Sequence, residues 1–120
     1  MKVKKGTKVR YNGKVSARHD LKPGEVYAAT GADVYLRVIN DKRNDMMYDI
    51  SFFEYKGQKI AKGKIPKKGQ SVKSIPDEKG NLSSALTSGK EYKVVGVWID
   101  IRVKGPKGTQ YVNHKLVDVL

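Results

Sequence analysis

The feature that most constrains this chain of 120 residues is a stretch of sequence that occurs twice. Residues 21–31 read LKPGEVYAATG, and residues 86–96 read LTSGKEYKVVG. An ungapped alignment of residues 21–38 with 86–103 gives six identities in eighteen positions: Leu21/Leu86, Gly24/Gly89, Tyr27/Tyr92, Gly31/Gly96, Arg37/Arg102 and Val38/Val103. A repeat at a constant spacing is typical of a chain built from copies of one structural unit.

The sequence on both sides of this stretch extends the repeat. The flanking matches, all at a spacing of 63 residues, are Lys4-Lys5-Gly6 with Lys67-Lys68-Gly69, Val9 with Val72, Tyr48 with Tyr111, and Phe53 with Leu116. Because the matches keep the same order, we predict a first repeat at residues 1–57, a basic linker at 58–65 and a second repeat at 66–120. Exchange of strands between the repeats, which would make one fused barrel, stays open.

The local patterns of both repeats favour short β-strands. Val34, Leu36 and Val38 alternate with larger or polar residues, as do residues 97–104 in the second repeat, and this period of two indicates half-buried strands. Glycines within the repeated stretch are expected to set turns; these are Gly24, Gly31, Gly89 and Gly96. No segment has an apolar period of 3.6 residues, so helix is limited to single turns near residues 51–53 and 113–115, where polar residues can cap them.

The order of these elements resembles that of SH3-like small barrels. The phrases GKEYKVV, WIDIRV and KGTQYVNHKLVDVL, and in the first repeat GEVYAAT, VYLRV and MMYDISFFEY, fall where such barrels have their strands and short 3₁₀ turn. The L-x-x-G-x-x-Y phrase also resembles small uncharacterised proteins of bacteria and their phages. The resemblance implies an all-β fold of two tandem SH3-like small barrels related by internal duplication. Such barrels include peptide-binding, KOW-type and Tudor-like modules, so the fold alone does not choose a function.

The charge of the chain is strongly positive and unevenly distributed. Its net charge is +13, from 25 Lys and Arg against 12 Asp and Glu. Residues 1–10 carry +5 and residues 56–68 carry +6, whereas residues 11–55 carry −1 and residues 69–120 carry +3. A field this basic attracts polyanions, which predicts salt-dependent binding of nucleic acid.

The candidate binding residues follow from this distribution. The predicted phosphate contacts are Lys4, Lys5, Lys8, Arg10, Lys59, Lys62, Lys64, Lys67 and Lys68, and the hairpin tips add Lys42, Arg43 and Lys107. An arginine beside an exposed aromatic ring can hold phosphates and stack bases. On this ground Arg37, Arg102, Tyr35 and Trp98 are predicted to make the closer contacts.

Structural roles compete with each of these assignments. Lysines of residues 56–68 can simply keep a linker solvated. Arg37 and Arg102 can instead pair with neighbouring acids such as Asp49 or Asp100. The tyrosine pairs Tyr27/Tyr92 and Tyr48/Tyr111 are expected to pack in or near the core, with their hydroxyls in water.

No pattern in the chain predicts catalysis or a metal site. The chain has no cysteine and two histidines, His19 and His114, neither with a carboxylate at a metal-ligand spacing. We therefore predict a non-catalytic, cytoplasmic protein without cofactor, metal or membrane partner, which binds DNA or RNA electrostatically and with weak sequence preference. The alternatives are a phage or mobile-element accessory module that docks on an acidic host protein, and a self-assembling structural component. If the chain is encoded by a phage, the compartment is the host-cell cytoplasm.

Overall fold

The computed structural model describes residues 3–15, 20–61 and 63–120. Among these residues the regular structure consists of β-strands and two single 3₁₀ turns, so the prediction of an all-β fold is confirmed. The strands are β1 (Lys8–Tyr11), β2 (Val26–Ile39), β3 (Asp45–Asp49), β4 (Phe53–Tyr55), β5 (Gln58–Lys59), β6 (Ser71–Ser74), β7 (Glu91–Gly105), β8 (Gly108–Asn113) and β9 (Val117–Val119). Over the same residues, no helix is long and apolar enough to cross a bilayer.

The strands form an open antiparallel sheet whose hydrogen-bonded order is β5-β4-β6-β7-β2-β1-β9. β3 pairs with the second part of β2, from Tyr35 to Ile39, and β8 pairs with the second part of β7, from Asp100 to Gly105. Further pairings are antiparallel as well, and they match between the two repeats. β1 pairs with β2 and β9, and β6 pairs with β7 and β4.

The chain divides into two compact units, and each takes segments from both repeats. Unit 1 consists of Met1–Asp33 and Ile99–Leu120, and unit 2 consists of Val34–Trp98. β2 and β7 therefore each contribute their residues to both units. The unit boundaries fall inside these two long strands and do not coincide with the boundary between the repeats in the sequence.

Each unit has its own apolar core. The buried residues of unit 1 are Val9, Tyr11, Leu21, Ala29, Ala32, Ile99, Ile101, Val103, Val112 and Val117. Those of unit 2 are Val34, Leu36, Val38, Ile50, Phe53, Val72, Ala85, Leu86, Tyr92 and Val94. The alternating residues of the long strands fill both lists, which confirms the predicted half-buried strands.

Glycines of the repeated stretch have two different positions. Gly24 and Gly89, with φ of +83° and +81°, occupy turns as predicted. Gly31 and Gly96 lie inside β2 and β7, so the prediction of turns there is wrong. The strands continue through these glycines, and the reason is the arginine packing described below.

The two 3₁₀ turns lie close to where polar caps predicted them. The first spans Ile50–Phe52 and the second spans His114–Leu116. Asp49 accepts a hydrogen bond from the Ser51 amide at 2.9 Å, and Asn113 accepts one from the Lys115 amide at 2.9 Å. Each side chain satisfies an amide that the short turn leaves unbonded.

These turns correct the alignment of the two repeats. Asp49 corresponds to Asn113 and Phe53 to Val117, a spacing of 64 residues where the sequence comparison used 63. A shift by one residue moves a strand side chain to the opposite face of the sheet. A spacing of 63 aligns Leu116 with the buried Phe53 and Tyr111 with the half-buried Tyr48. Leu116 and Tyr111 are instead 39% and 59% exposed.

Candidate nucleic-acid interface

Two matching turns present the paired lysines of the repeat. Lys4 to Thr7 closes with a hydrogen bond of 3.1 Å from the Thr7 amide to the Lys4 carbonyl, and Lys67 to Gln70 closes with one of 3.0 Å. Gly6 and Gly69, at φ of +92° and +95°, supply the left-handed residue of each turn. The lysines precede the glycines and point into solvent. We call these the lysine turns.

A side chain stabilises each lysine turn from within. Thr7 Oγ1 accepts a hydrogen bond from the Lys4 amide at 3.0 Å, and Gln70 Oε1 accepts one from the Lys67 amide at 2.6 Å. Gln70 also donates to the Tyr55 hydroxyl at 2.7 Å. Different residues thus fix the same backbone, which holds the lysines in a defined place.

The lysine turns attach to the long strands at equivalent residues. The Gly6 amide donates to the Ala29 carbonyl of β2 at 2.8 Å, and the Gly69 amide donates to the Val94 carbonyl of β7 at 2.8 Å. Ala29 and Val94 each lie two residues before the glycine at which an arginine packs. Each unit therefore places one lysine turn and one arginine beside the same strand segment.

The remaining predicted cations are exposed but differ in their neighbours. Lys8 and Arg10 face solvent on β1, and Arg10 lies directly opposite Asp118 of β9. In the segment predicted as a linker, Lys59 belongs to β5 and lies opposite Glu54 in the register with β4. Lys64 is exposed. Pro66, just after this segment, is fully buried. Lys62 lies outside the described residues.

Arg37 is held in unit 2 by a carboxylate and a glycine. Its Nη2 lies 2.5 Å from Asp45 Oδ2 and its Nε lies 3.2 Å from Oδ1, so the contact is bidentate. The hydrogen bond from Arg37 lowers the pKa of the Asp45 carboxyl, and Asp45 raises the pKa of Arg37. A Cβ on Gly96 would lie 2.8 Å from Arg37 Nη1, so the glycine leaves the space that the guanidinium occupies.

Arg102 repeats this arrangement in unit 1. Its Nε lies 3.2 Å from Asp33 Oδ2, an ion pair without hydrogen-bond alignment. A Cβ on Gly31 would lie 2.5 Å from Arg102 Nη2. The repeated glycines and arginines thus meet across β2 and β7, and the acids that pair with the arginines are Asp45 and Asp33 rather than the expected Asp49 and Asp100.

The predicted aromatic partners of these arginines belong to unit 2. Tyr35 is half-buried on β2, two residues before Arg37 and on the same face. Trp98 is 37% exposed and is the last residue of unit 2, whereas Arg102 belongs to unit 1. Only Tyr35 therefore shares a unit with the arginine that lies on its strand face.

The hairpin tips contain Lys42, Arg43 and Lys107, all exposed. In unit 2 the buried Asn40 shapes the tip, because its Oδ1 accepts from the Lys42 and Asn44 amides at 3.0 Å each. In unit 1 the Lys107 amide donates to Asp20 Oδ2 at 3.0 Å. The tips are therefore fixed in place, with their cationic side chains in solvent.

Asp41 ties the unit 2 tip to the loop before β7. It accepts hydrogen bonds from Thr87 Oγ1 and Lys90 Nζ at 2.7 Å and from the Tyr92 hydroxyl at 2.9 Å. The Lys90 hydrogen bond, with that of Thr87, lowers the pKa of Asp41 to about 2. Asp41 also raises the pKa of Lys90. We call this cluster the Asp41 bridge.

The repeated leucine, glycine and tyrosine form a structural motif. Leu21 and Leu86 are buried. The tyrosine hydroxyl of each repeat reaches back to the turn between the leucine and the tyrosine. The Tyr27 hydroxyl accepts from the Lys22 amide at 2.8 Å, and the Tyr92 hydroxyl accepts from the Thr87 amide at 2.8 Å. The most similar part of the repeat therefore maintains the fold.

Unit 2 also has an open pocket of about 650 Å³ between the first 3₁₀ turn, the β4–β5 hairpin and residues 76–81. Its lining combines apolar residues such as Ile50 and Phe53 with acidic residues and lysines. The described residues contain no cluster of three or more histidines, aspartates or glutamates that could hold a metal ion.

The positive charge divides almost equally between the units. Unit 1 has 12 Lys and Arg against 5 Asp and Glu, a net +7, and unit 2 has 13 against 7, a net +6. Both arginines of the repeat are paired with acids, and the lysines of the two lysine turns take part in none of the ion pairs among the described residues. No protein family, curated protein or solved structure matches this chain.

Proposed function

We propose that this protein binds nucleic acid, mainly through charge and with little sequence preference. The observation that carries the proposal is the pair of equivalent lysine turns, Lys4-Lys5-Gly6 and Lys67-Lys68-Gly69. Their side chains are exposed, and neither turn takes part in the ion pairs found among the described residues. Lysines of this kind act as point charges toward phosphates.

The proposal extends to the origin of the fold. We propose that the chain is a duplicated SH3-like module whose copies exchange strands through β2 and β7. The support is the order of elements within each repeat: a short strand, a long loop, a long strand, a hairpin, a further strand, a 3₁₀ turn and a final strand. A duplication accounts for one lysine turn in each unit.

The test is a titration of the protein with a labelled nucleic acid at several salt concentrations. Logarithmic affinity is expected to fall linearly with logarithmic salt concentration, with a slope of roughly −0.7 to −0.9 for each phosphate contacted. Replacing Lys4, Lys5, Lys67 and Lys68 with glutamine should weaken binding and flatten this slope.

A matched control removes the same charge elsewhere. Glutamine at Lys22, Lys115, Lys79 and Lys93, two exposed lysines in each unit, lowers the net charge by the same amount. It should weaken binding less than the change in the lysine turns. Equal losses would mean that only net charge matters, and a wild-type affinity that does not respond to salt would contradict the proposal.

The second candidate is docking on an acidic protein. It is supported by the same exposed lysines, because an ammonium group donates to carboxylates as well as to phosphates. Mass spectrometry of the material that co-purifies with the untreated protein distinguishes the two. A single acidic protein without nucleic acid supports docking.

A further inference from the structure

We propose that unit 1 holds a base-stacking platform at Tyr111, which directs the protein toward single-stranded nucleic acid. This inference rests on the proposed nucleic-acid function. It is carried by the exposure of Tyr111 and by the position of Arg102 directly opposite it in the pairing of β7 with β8.

Tyr111 stands apart from the other tyrosines. Of the seven tyrosines in the chain, five have a hydroxyl that makes a hydrogen bond within the fold: Tyr11, Tyr27, Tyr48, Tyr55 and Tyr92. Tyr35 is half-buried. Tyr111 is 59% exposed. A large ring with most of its surface in solvent is available to a ligand.

The surroundings of Tyr111 suit a base and its phosphate. Directly paired residues of an antiparallel ladder share a face, so Tyr111 lies on the face of Arg102. The exposed Lys104, two residues further along β7, shares that face. Arg102 is kept in place by Asp33 and packs over Gly31, where no side chain competes for the space of the guanidinium.

The lysine turn of unit 1 connects to the same region. Gly6 donates to the Ala29 carbonyl, two residues before Gly31, and the Thr30 hydroxyl donates to the Arg102 carbonyl at 3.4 Å. A path of contacts thus runs from the turn through β2 to Arg102 and Tyr111. A strand whose base stacks on Tyr111 can place neighbouring phosphates against these cations.

Unit 2 provides the internal comparison. Met47 occupies the position of Tyr111, because it pairs with Arg37 as Tyr111 pairs with Arg102. Met47 is exposed to a similar extent, 45%, but has no aromatic ring. Every base has an aromatic face, but a duplex keeps these faces stacked inside, so a stacking platform selects single strands.

The experiment measures the affinity of full-length variants for a labelled single-stranded oligonucleotide and for the same sequence as a duplex. Tyr111→Ala should weaken single-strand binding by about five- to hundredfold, the range of one lost base–aromatic stack. Duplex affinity should change little. Tyr111→Phe keeps the ring and should bind as wild type, and Met47→Ala removes the equivalent side chain and should also bind as wild type.

The outcomes separate this inference from the function on which it rests. If the wild type binds with a steep salt response but Tyr111→Ala loses nothing, or loses equally on both probes, the platform is wrong and the electrostatic function stands. If the wild type binds neither probe, the proposed function itself fails. Circular dichroism of each variant checks that an exposed substitution leaves the fold intact.

Discussion

The two units share most of their elements but connect their loops in opposite ways. In unit 2 the hairpin tip supplies a carboxylate, Asp41, the loop before β7 supplies two donors, and Tyr92 at the start of β7 supplies a third. In unit 1 the loop before β2 supplies the carboxylate, Asp20, and the hairpin supplies one backbone amide, that of Lys107. The need to join these loops is common to both units, while the residues that meet it differ.

The two units also differ in their cores and in their edge strands. Phe53 closes the core of unit 2 after its 3₁₀ turn, and the smaller Val117 does so in unit 1. β5 covers the outer edge of β4 in unit 2, while β9 of unit 1 pairs only with β1 among the described strands. Unit 2 therefore has an additional edge strand and a larger core residue at this position, and unit 1 presents the more exposed aromatic side chain, Tyr111.

The largest expected effect tests the difference between the cores. Phe53→Ala should lower the free energy of unfolding by about 3–5 kcal/mol, because its ring is fully buried. Val117→Ala removes fewer buried atoms and should cost roughly 2 kcal/mol. Urea unfolding followed by circular dichroism gives both values. Equal losses would show that the two cores contribute alike despite their different side chains.

The next effect tests the Asp41 bridge against its counterpart. Asp41→Asn removes the charge that pairs with Lys90 and should lower the melting temperature at neutral pH more than Asp20→Asn does. The folded pKa of Asp41 is lowered to about 2 from an ordinary 3.8. The Asp41 charge therefore stabilises the fold fully at pH values above 3.8. This stabilisation is lost as the pH falls through the folded pKa.

The pH profile is therefore the decisive readout for the Asp41 bridge. The difference in melting temperature between wild type and Asp41→Asn should be constant near neutral pH and should shrink as the pH falls from about 4 to about 2. A difference that does not change with pH would assign the loss to packing of the side chain rather than to its charge.

The smallest effect tests the repeated tyrosines. Tyr27→Phe removes one hydrogen bond, to the Lys22 amide, and should cost about 1 kcal/mol or less. Tyr92→Phe removes the same bond to Thr87 and also the bond to Asp41, so it should cost roughly twice as much. Denaturant midpoints of the two variants compare them. A larger loss of stability for Tyr27→Phe than for Tyr92→Phe would contradict this prediction.

Much of the fold follows from local chemistry in the sequence. Proline or serine before Gly24 and Gly89 predicts the turns, period-two apolar residues predict the strands, and Asn113 predicts the cap of the second 3₁₀ turn. Each of these signals acts over a few residues.

Long-range pairing was beyond these local signals. Gly31 resembles a turn glycine in the sequence, because its real constraint is the guanidinium of Arg102, which lies 71 positions away. The sequence shows that both residues recur, but it does not show that the arginine of each pair packs against the glycine. Tyr111 was misplaced for a related reason: a single-residue difference between the hairpins reverses the face of every following strand residue.

The passage of β2 and β7 through both units has a consequence for any shortened form of this protein. A chain with one repeat alone would hold the beginning of one core and the end of another, and could complete neither by itself. Such a half would be expected to find a second half from another molecule. Under the proposed duplication, the segment between the repeats keeps the two halves together in one molecule, so that neither has to find its partner by diffusion.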